Sequence, residues 1–177
     1  MYLITLSKNK IKIFESYMNI AYLLIGGNLG DREKNLGSAK ANIQEQCGEV
    51  FLSSSLYETA AWGNTEQPSF LNQALAIKTS LTPIQLMRQI LKIEKQMGRI
   101  REEKYGPRLI DIDILIYNDE IKKTKSLILP HPELQNRRFA LLPLSEIAPG
   151  LTHPVFQKKI ISLLKQCTDK LAVKKYS

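Results

Sequence analysis

Cysteine is almost absent. Cys47 and Cys167 are the only two, and neither has the spacing of a metal-ligand set. Both read as small packing residues in a reducing compartment. No apolar run approaches the ~18 residues of a membrane-spanning helix. The first residues also lack the long apolar stretch of a secretory signal. A cytoplasmic protein with no membrane partner is therefore expected. Internal repeats, low-complexity segments and long linkers are missing, so 177 residues read as one domain with a sizeable core. Acid is in deficit, with 17 Asp and Glu against 25 Lys and Arg. The net charge of +8 favours anionic partners: nucleic acid, an acidic surface or a phosphorylated small molecule.

The common nucleotide loops are missing too. "LLIGGNLGDREKNL", Leu23 to Leu36, runs from an apolar segment through glycines into a polar stretch. It has no Gly-Lys-Ser/Thr of a Walker A loop, and Gly26, Gly27 and Gly30 are not spaced as Gly-x-Gly-x-x-Gly. It reads as a turn whose glycines permit positive φ, with Asn28 or Asp31 capping the helix that follows.

Residues 1–17 read as a basic N-terminal extension, with an extra edge strand from "KIKIF" as the alternative. The domain is expected over 18–177. A strand is predicted at about 20–25 and a helix at about 31–46. "EVFLSSSLYET" reads as one strand, "AAWGNTEQPS" as a loop, and "FLNQALAIKTS" as a half-buried strand. "TPIQLMRQILKIEKQMGR" reads as a helix with Thr82 as N-cap, Pro83 at the first position and Gly98 beyond the last turn. Leu86, Ile90, Ile93 and Met97 share its apolar face. "RLIDIDILIY" reads as a strand. Lys158, Lys159, Lys165, Lys170, Lys174 and Lys175 read as a solvated helix face. The order is β-α-β-β-α-β with a C-terminal extension. It predicts an α+β fold: a ferredoxin-like core, a mainly antiparallel sheet, and helices packed in an α/β/α arrangement.

The chemistry concentrates in "LIDIDILIY". Alternate strand residues share a face, so Ile110, Ile112, Ile114 and Ile116 should enter a core while Asp111 and Asp113 face the other way together. Asp is depleted in strands. Two on one face suit hard cations such as Mg²⁺, which take one or two carboxylates and substrate phosphate oxygens. Arg99, Arg101, Lys104 and Arg108 lie just upstream, around Gly106-Pro107. Carboxylates for metal beside guanidiniums for phosphate suit phosphoryl transfer. An exposed, merely solubilising face is the bland alternative for an Asp-x-Asp. Phe70 and Asn72 share another strand face, where a ring and an amide suit a flat heterocycle. His131 sits between two prolines and suits a phosphate or base contact, or a structural turn. His153 reads as structural, and Trp62 as a loop side chain.

These residues resemble the 6-hydroxymethyl-7,8-dihydropterin pyrophosphokinase family of folate biosynthesis, over about residues 18–147. "GPRLIDIDILIY" is similar to the family's Gly-Pro-Arg-x-x-Asp-x-Asp signature. "IGGNLGD", "SSLYET", "FLNQAL", "IEKQMGRIR", "LPHPEL" and "NRRFALLPLSEIAP" support it in the family's order. The resemblance implies transfer of diphosphate from ATP to the hydroxymethyl group of the reduced pterin, giving AMP. It implies that Asp111 and Asp113 bind two Mg²⁺ ions, with Asp113 assisting proton removal. Arg99 and Arg101 would contact phosphates from a mobile loop. Glu94, Arg108, Ile114 and His131 would line the ATP site. Thr59, Ala60, Trp62, Phe70, Asn72, Asp111 and Phe139 would hold the pterin. A monofunctional monomer that binds no nucleic acid is expected. The chain departs from the family's usual residues at Gly27, Ala60, Ala61, Tyr105 and Arg138.

Two rivals remain at this level. One is a ferredoxin-like nucleic-acid-binding module, although the aromatic strand motif of an RNA-recognition domain is missing. The other is a different Mg-dependent nucleotide transferase that uses Asp-x-Asp.

Overall fold

A computed structural model describes residues 18–60, 67–99 and 106–177. The expected extension at 1–17, with its alternative edge strand, lies outside the described residues, as do Trp62 and Arg101. Strand β1, Asn19–Gly27, leads into helix α1, Arg32–Gln46. Strands β2, Glu49–Ser53, β3, Tyr57–Thr59, and β4, Phe70–Thr79, follow. Helix α2, Pro83–Gln96, and strand β5, Asp111–Tyr117, complete the core. A small hairpin comes next, β6, Lys122–Lys123, with β7, Ile128–Leu129. Helices α3, Arg138–Ile147, and α4, Ile160–Gln166, precede the last strand, β8, Val173–Lys175.

The main sheet runs β5-β1-β4-β3-β8, with β2 also on β4, and every pairing is antiparallel. α1 and α2 bury Leu36, Ala39, Ile43, Leu86, Ile90 and Ile93 on one face. α3 and α4 bury Leu141, Leu144, Ile160 and Leu163 on the other. This is the expected α+β, α/β/α arrangement. α2 begins with a reciprocal capping box between Thr82 and Gln85. Asp31 caps α1 by accepting from the Lys34 amide at 3.1 Å. No helix among the described residues is long and apolar enough to cross a membrane.

Four local expectations need correction. "EVFLSSSLYET" is two strands along one edge of β4, because Ser54 replaces the ladder there. Its Oγ accepts from the Ala74 amide at 3.0 Å, and its own amide donates to the Ala74 carbonyl at 2.9 Å. β4 is buried on both faces rather than half-buried, since helices cover each side of the sheet. Ile116 leaves the face of Ile110, Ile112 and Ile114. A register shift in β5 opposite Tyr22 and Leu23 sends Leu115 and Ile116 into the second core. Of the six lysines only Lys165 lies within α4; Lys174 and Lys175 belong to β8, paired with Glu58 and Tyr57, and Lys158, Lys159 and Lys170 lie outside the helix.

Candidate active site

The two aspartates do not lie on an open face. They continue the face that buries Leu24 and Ala74 under α3. The apolar layer stops at one register row: Asn72 on β4, Gly26 on β1 and Asp111 on β5. Gly26, with no side chain, lets the Asn72 amide close over the backbone in the middle of that row. A Cβ there would lie 2.4 Å from Asn72 Oδ1. Asn72 is buried and donates to Thr59 Oγ1 at 3.4 Å. Two strand spacings separate Asn72 from Asp111, roughly 9–10 Å.

Asp111 meets two guanidiniums. Arg99 Nη1 lies 2.5 Å from its Oδ1, and Arg108 Nε 3.2 Å from its Oδ2. Arg99 also pairs with Glu94. Glu94 is only 3% exposed, and its Oε1 accepts from the Ile112 amide at 2.8 Å. The acid on α2 therefore satisfies the outer edge of β5 between the two aspartates. Burial and the Asp111 charge push the Asp113 pKa up to about 7; Glu94 adds to this, while Arg137 and Arg108 oppose it. A concentration of carboxylates that already attracts guanidiniums, and that holds one acid above its usual range, suits a hard divalent cation. Among the described residues, no group of three or more His, Cys, Asp or Glu is set for a metal. The pair fits an ion that completes its shell with water and substrate oxygens.

His131 is held on the same edge, where its amide donates to the Leu115 carbonyl at 2.8 Å. Burial, helped by Arg137, pushes its pKa down to about 4, so the ring is neutral near pH 7. Its Nδ1 accepts from the Glu133 amide at 3.2 Å. The proton therefore sits on Nε2, a neutral donor suited to a phosphate oxygen. Phe70 stacks under Arg108, 5.3 Å from guanidinium carbon to ring centroid, and Phe139 lies similarly near Arg137 at 5.7 Å. Thr59 is buried beside Asn72, and Ala60 is exposed at the end of β3. Ile114 turns its side chain into the opposite core, which leaves only its backbone for a ligand.

Two residues enter the site in roles that the sequence did not assign to them. Arg137, at the start of α3, acts electrostatically on both Asp113 and His131. Its signal was the Arg-Arg pair before an apolar helix. Asn28, 2% exposed, is not the helix cap. Its amide donates to the Arg108 carbonyl at 3.0 Å, and its Oδ1 accepts from the Arg108 amide at 2.8 Å. Its Nδ2 donates to the Pro68 carbonyl at 3.1 Å and to Gln67 Oε1 at 3.3 Å. One buried amide thus ties the turn after β1 to the segments before β4 and β5. The Gly27 departure has a local reason, since a Cβ there would lie 2.3 Å from the Leu109 carbonyl oxygen.

Known proteins are similar to this chain over most of its length. The family model for 7,8-dihydro-6-hydroxymethylpterin-pyrophosphokinase matches residues 22–149. The 2-amino-4-hydroxy-6-hydroxymethyldihydropteridine pyrophosphokinase of Aquifex aeolicus is 45% identical over 143 residues, 81% of this chain and 89% of the relative. That of Bacillus subtilis is 46% identical over 130 residues, 73% and 78%. A crystal structure of Plasmodium falciparum HPPK-DHPS, wild type with SDX-DHP, superposes with a TM-score of 0.68 at 20% identity. The match covers 84% of this chain and 43% of that one, so this chain spans less than half of the solved protein. On the family model and the two bacterial relatives, this chain belongs to the 7,8-dihydro-6-hydroxymethylpterin-pyrophosphokinase family.

Proposed function

We propose that the chain, as one domain over residues 18–177, transfers diphosphate from ATP to 6-hydroxymethyl-7,8-dihydropterin. The pterin hydroxyl oxygen forms a bond to the β-phosphorus, the bond from that phosphorus to the α–β bridging oxygen breaks, and AMP leaves. The observation that carries the reading is the row Asn72–Gly26–Asp111. It sets an amide that reads a heterocycle edge opposite a carboxylate that faces phosphate, with a glycine between them that the amide overlies.

The pterin lies over Gly26, its polar edge on Asn72 and Thr59, its faces against Phe70 and Phe139. Arg99 and Arg108 leave Asp111 to neutralise phosphate charge, with Arg101 and Arg137 adding to them. Glu94 holds Arg99 and the β5 edge in place. His131 donates from Nε2 to a phosphate oxygen. Asp113 assists removal of the hydroxyl proton. Two Mg²⁺ ions on Asp111 and Asp113 would supply charge neutralisation and a clamp on the attacking and leaving oxygens. No protein nucleophile is needed, because placement and electrostatics supply the catalysis. A cytoplasmic monomer is the matching cellular form.

The test is product identification. The protein mixed with ATP, Mg²⁺ and the pterin should yield AMP and the pterin diphosphate, and a chelator should abolish both. Free pyrophosphate or a nucleoside diphosphate as product would instead indicate another transferase. A second test uses Gly26→Ala. Its methyl displaces the Asn72 amide, so the pterin KM should rise about tenfold, the equivalent of one lost hydrogen bond, while the ATP KM stays unchanged. Equal losses for both substrates would refute the pterin placement.

A further inference from the structure

α3 carries Arg137 and Phe139 at its start, yet no local side chain caps it. The cap comes from 31 residues downstream. Asp169 Oδ2 accepts from the Arg138 amide at 3.0 Å, and its Oδ1 accepts from the Leu171 amide at 3.0 Å. The acid thus turns the chain and places a negative charge at the positive end of the helix. A few residues later, β8 pairs with β3: Val173 opposite Thr59, Glu58 opposite Lys174, and Tyr57 opposite Lys175. The Tyr176 amide then donates to the Leu56 carbonyl at 2.9 Å, and its ring packs on the first core with Arg32 5.6 Å above it. Arg32 in turn holds Glu58 at 2.6 Å and the Ser69 carbonyl at 2.8 Å, the residue before Phe70.

Residues 169–176 therefore tie down two elements beside the Asn72–Gly26–Asp111 row: the start of α3 and strand β3. Asp169 fixes the helix start beside Phe139. β8 fixes the strand that ends in Thr59, whose hydroxyl receives the Asn72 amide. This stretch lies wholly outside the residues matched by the family model. We infer that residues 169–176 form a strap that sets the width of the pterin pocket, with Asp169 as its positioning residue. The inference rests on the pterin reading above and adds what fixes that pocket.

The experiment compares the unaltered chain with Asp169→Ala and Asp169→Asn. Asp169→Ala should raise the pterin KM about fivefold to tenfold, the equivalent of a lost helix cap, with ATP KM unchanged and circular dichroism retained. Asp169→Asn keeps an acceptor oxygen and should restore the pterin KM to within about twofold, a rescue expected from the good N-cap rank of Asn. A second measurement needs no variant. Because coupling is reciprocal, adding 6-hydroxymethylpterin to protein already saturated with α,β-methylene-ATP should slow amide exchange at Arg138 and across 173–176. An active unaltered chain whose Asp169→Ala form keeps its pterin KM overturns the strap alone, as does unchanged exchange on adding the pterin. Failure of the unaltered chain to make AMP overturns the pterin reading, and the strap with it.

Discussion

Asp111→Ala and Asp113→Ala each lower turnover by about 10²–10³-fold or more, the scale of removing one preorganised electrostatic partner of a transition state. Folding survives both changes. Without Asp111, Arg99 keeps Glu94 as its partner, and removing Asp113 relieves a crowding of like charges. Turnover by product analysis and thermal melting of each variant check this, and near-normal turnover in either would sink the metal assignment. The pH dependence follows from the same group. Asp113 is raised to about 7, so below that pH a proton competes with the cation. Apparent Mg²⁺ affinity should therefore fall as pH drops from 8 to 6, and Asp113→Asn should flatten that dependence. Calorimetric titration of Mg²⁺ at several pH values reads it directly.

Asn28→Ala is the second large effect, and it strikes stability and activity together. The change leaves the Arg108 amide and the Pro68 carbonyl without their partner in a part-buried setting. Each lost bond costs about 0.5–1.5 kcal/mol, since water reaches part of each orphaned group. Two of them imply a melting temperature lower by roughly 2–12 °C in a chain of this size. Arg108 loses the clamp on its backbone, so kcat/KM falls as well. Asn28→Asp separates the two contacts. It keeps the acceptor for the Arg108 amide but places a carboxylate oxygen against the Pro68 carbonyl. Thermal melting and kinetics on both variants test this. An Asn28→Ala protein as stable and active as the unaltered chain would show that the amide is dispensable.

Much of the architecture was legible in the chain. The caps at Asp31 and Thr82, the apolar stripe of Leu86, Ile90 and Ile93, and the face shared by Asp111 and Asp113 all follow from local periodicity. What was not legible depends on neighbours distant in sequence. Ser54 breaks a strand because its hydroxyl replaces a ladder bond to Ala74. Ile116 changes faces because of a register shift set by β1. Asn28 looks like a cap until Arg108, 80 residues away, is brought against it. Glu94 was named only through the family resemblance; local pattern makes it one more polar position on α2, and only the open edge of β5 explains a carboxylate that is almost fully buried. The DIDILIY segment disclosed the two acids, whereas Arg137 acquires meaning only when α3 is laid over the same face.

The placement of β8 has a consequence for synthesis. On the ribosome, β1, α1 and β4 emerge early and can already pair, since their register lies within residues 19–79. β5 follows after residue 110, and β8, the last of the described strands, only at 173–175. The nascent protein thus has its aspartates in place on a formed sheet while the edge beyond β3 is still bare. An unpaired β3 edge is open to other chains during that interval. Its shortness, three residues, and the charge at Glu58 limit that exposure until the C-terminal segment closes it.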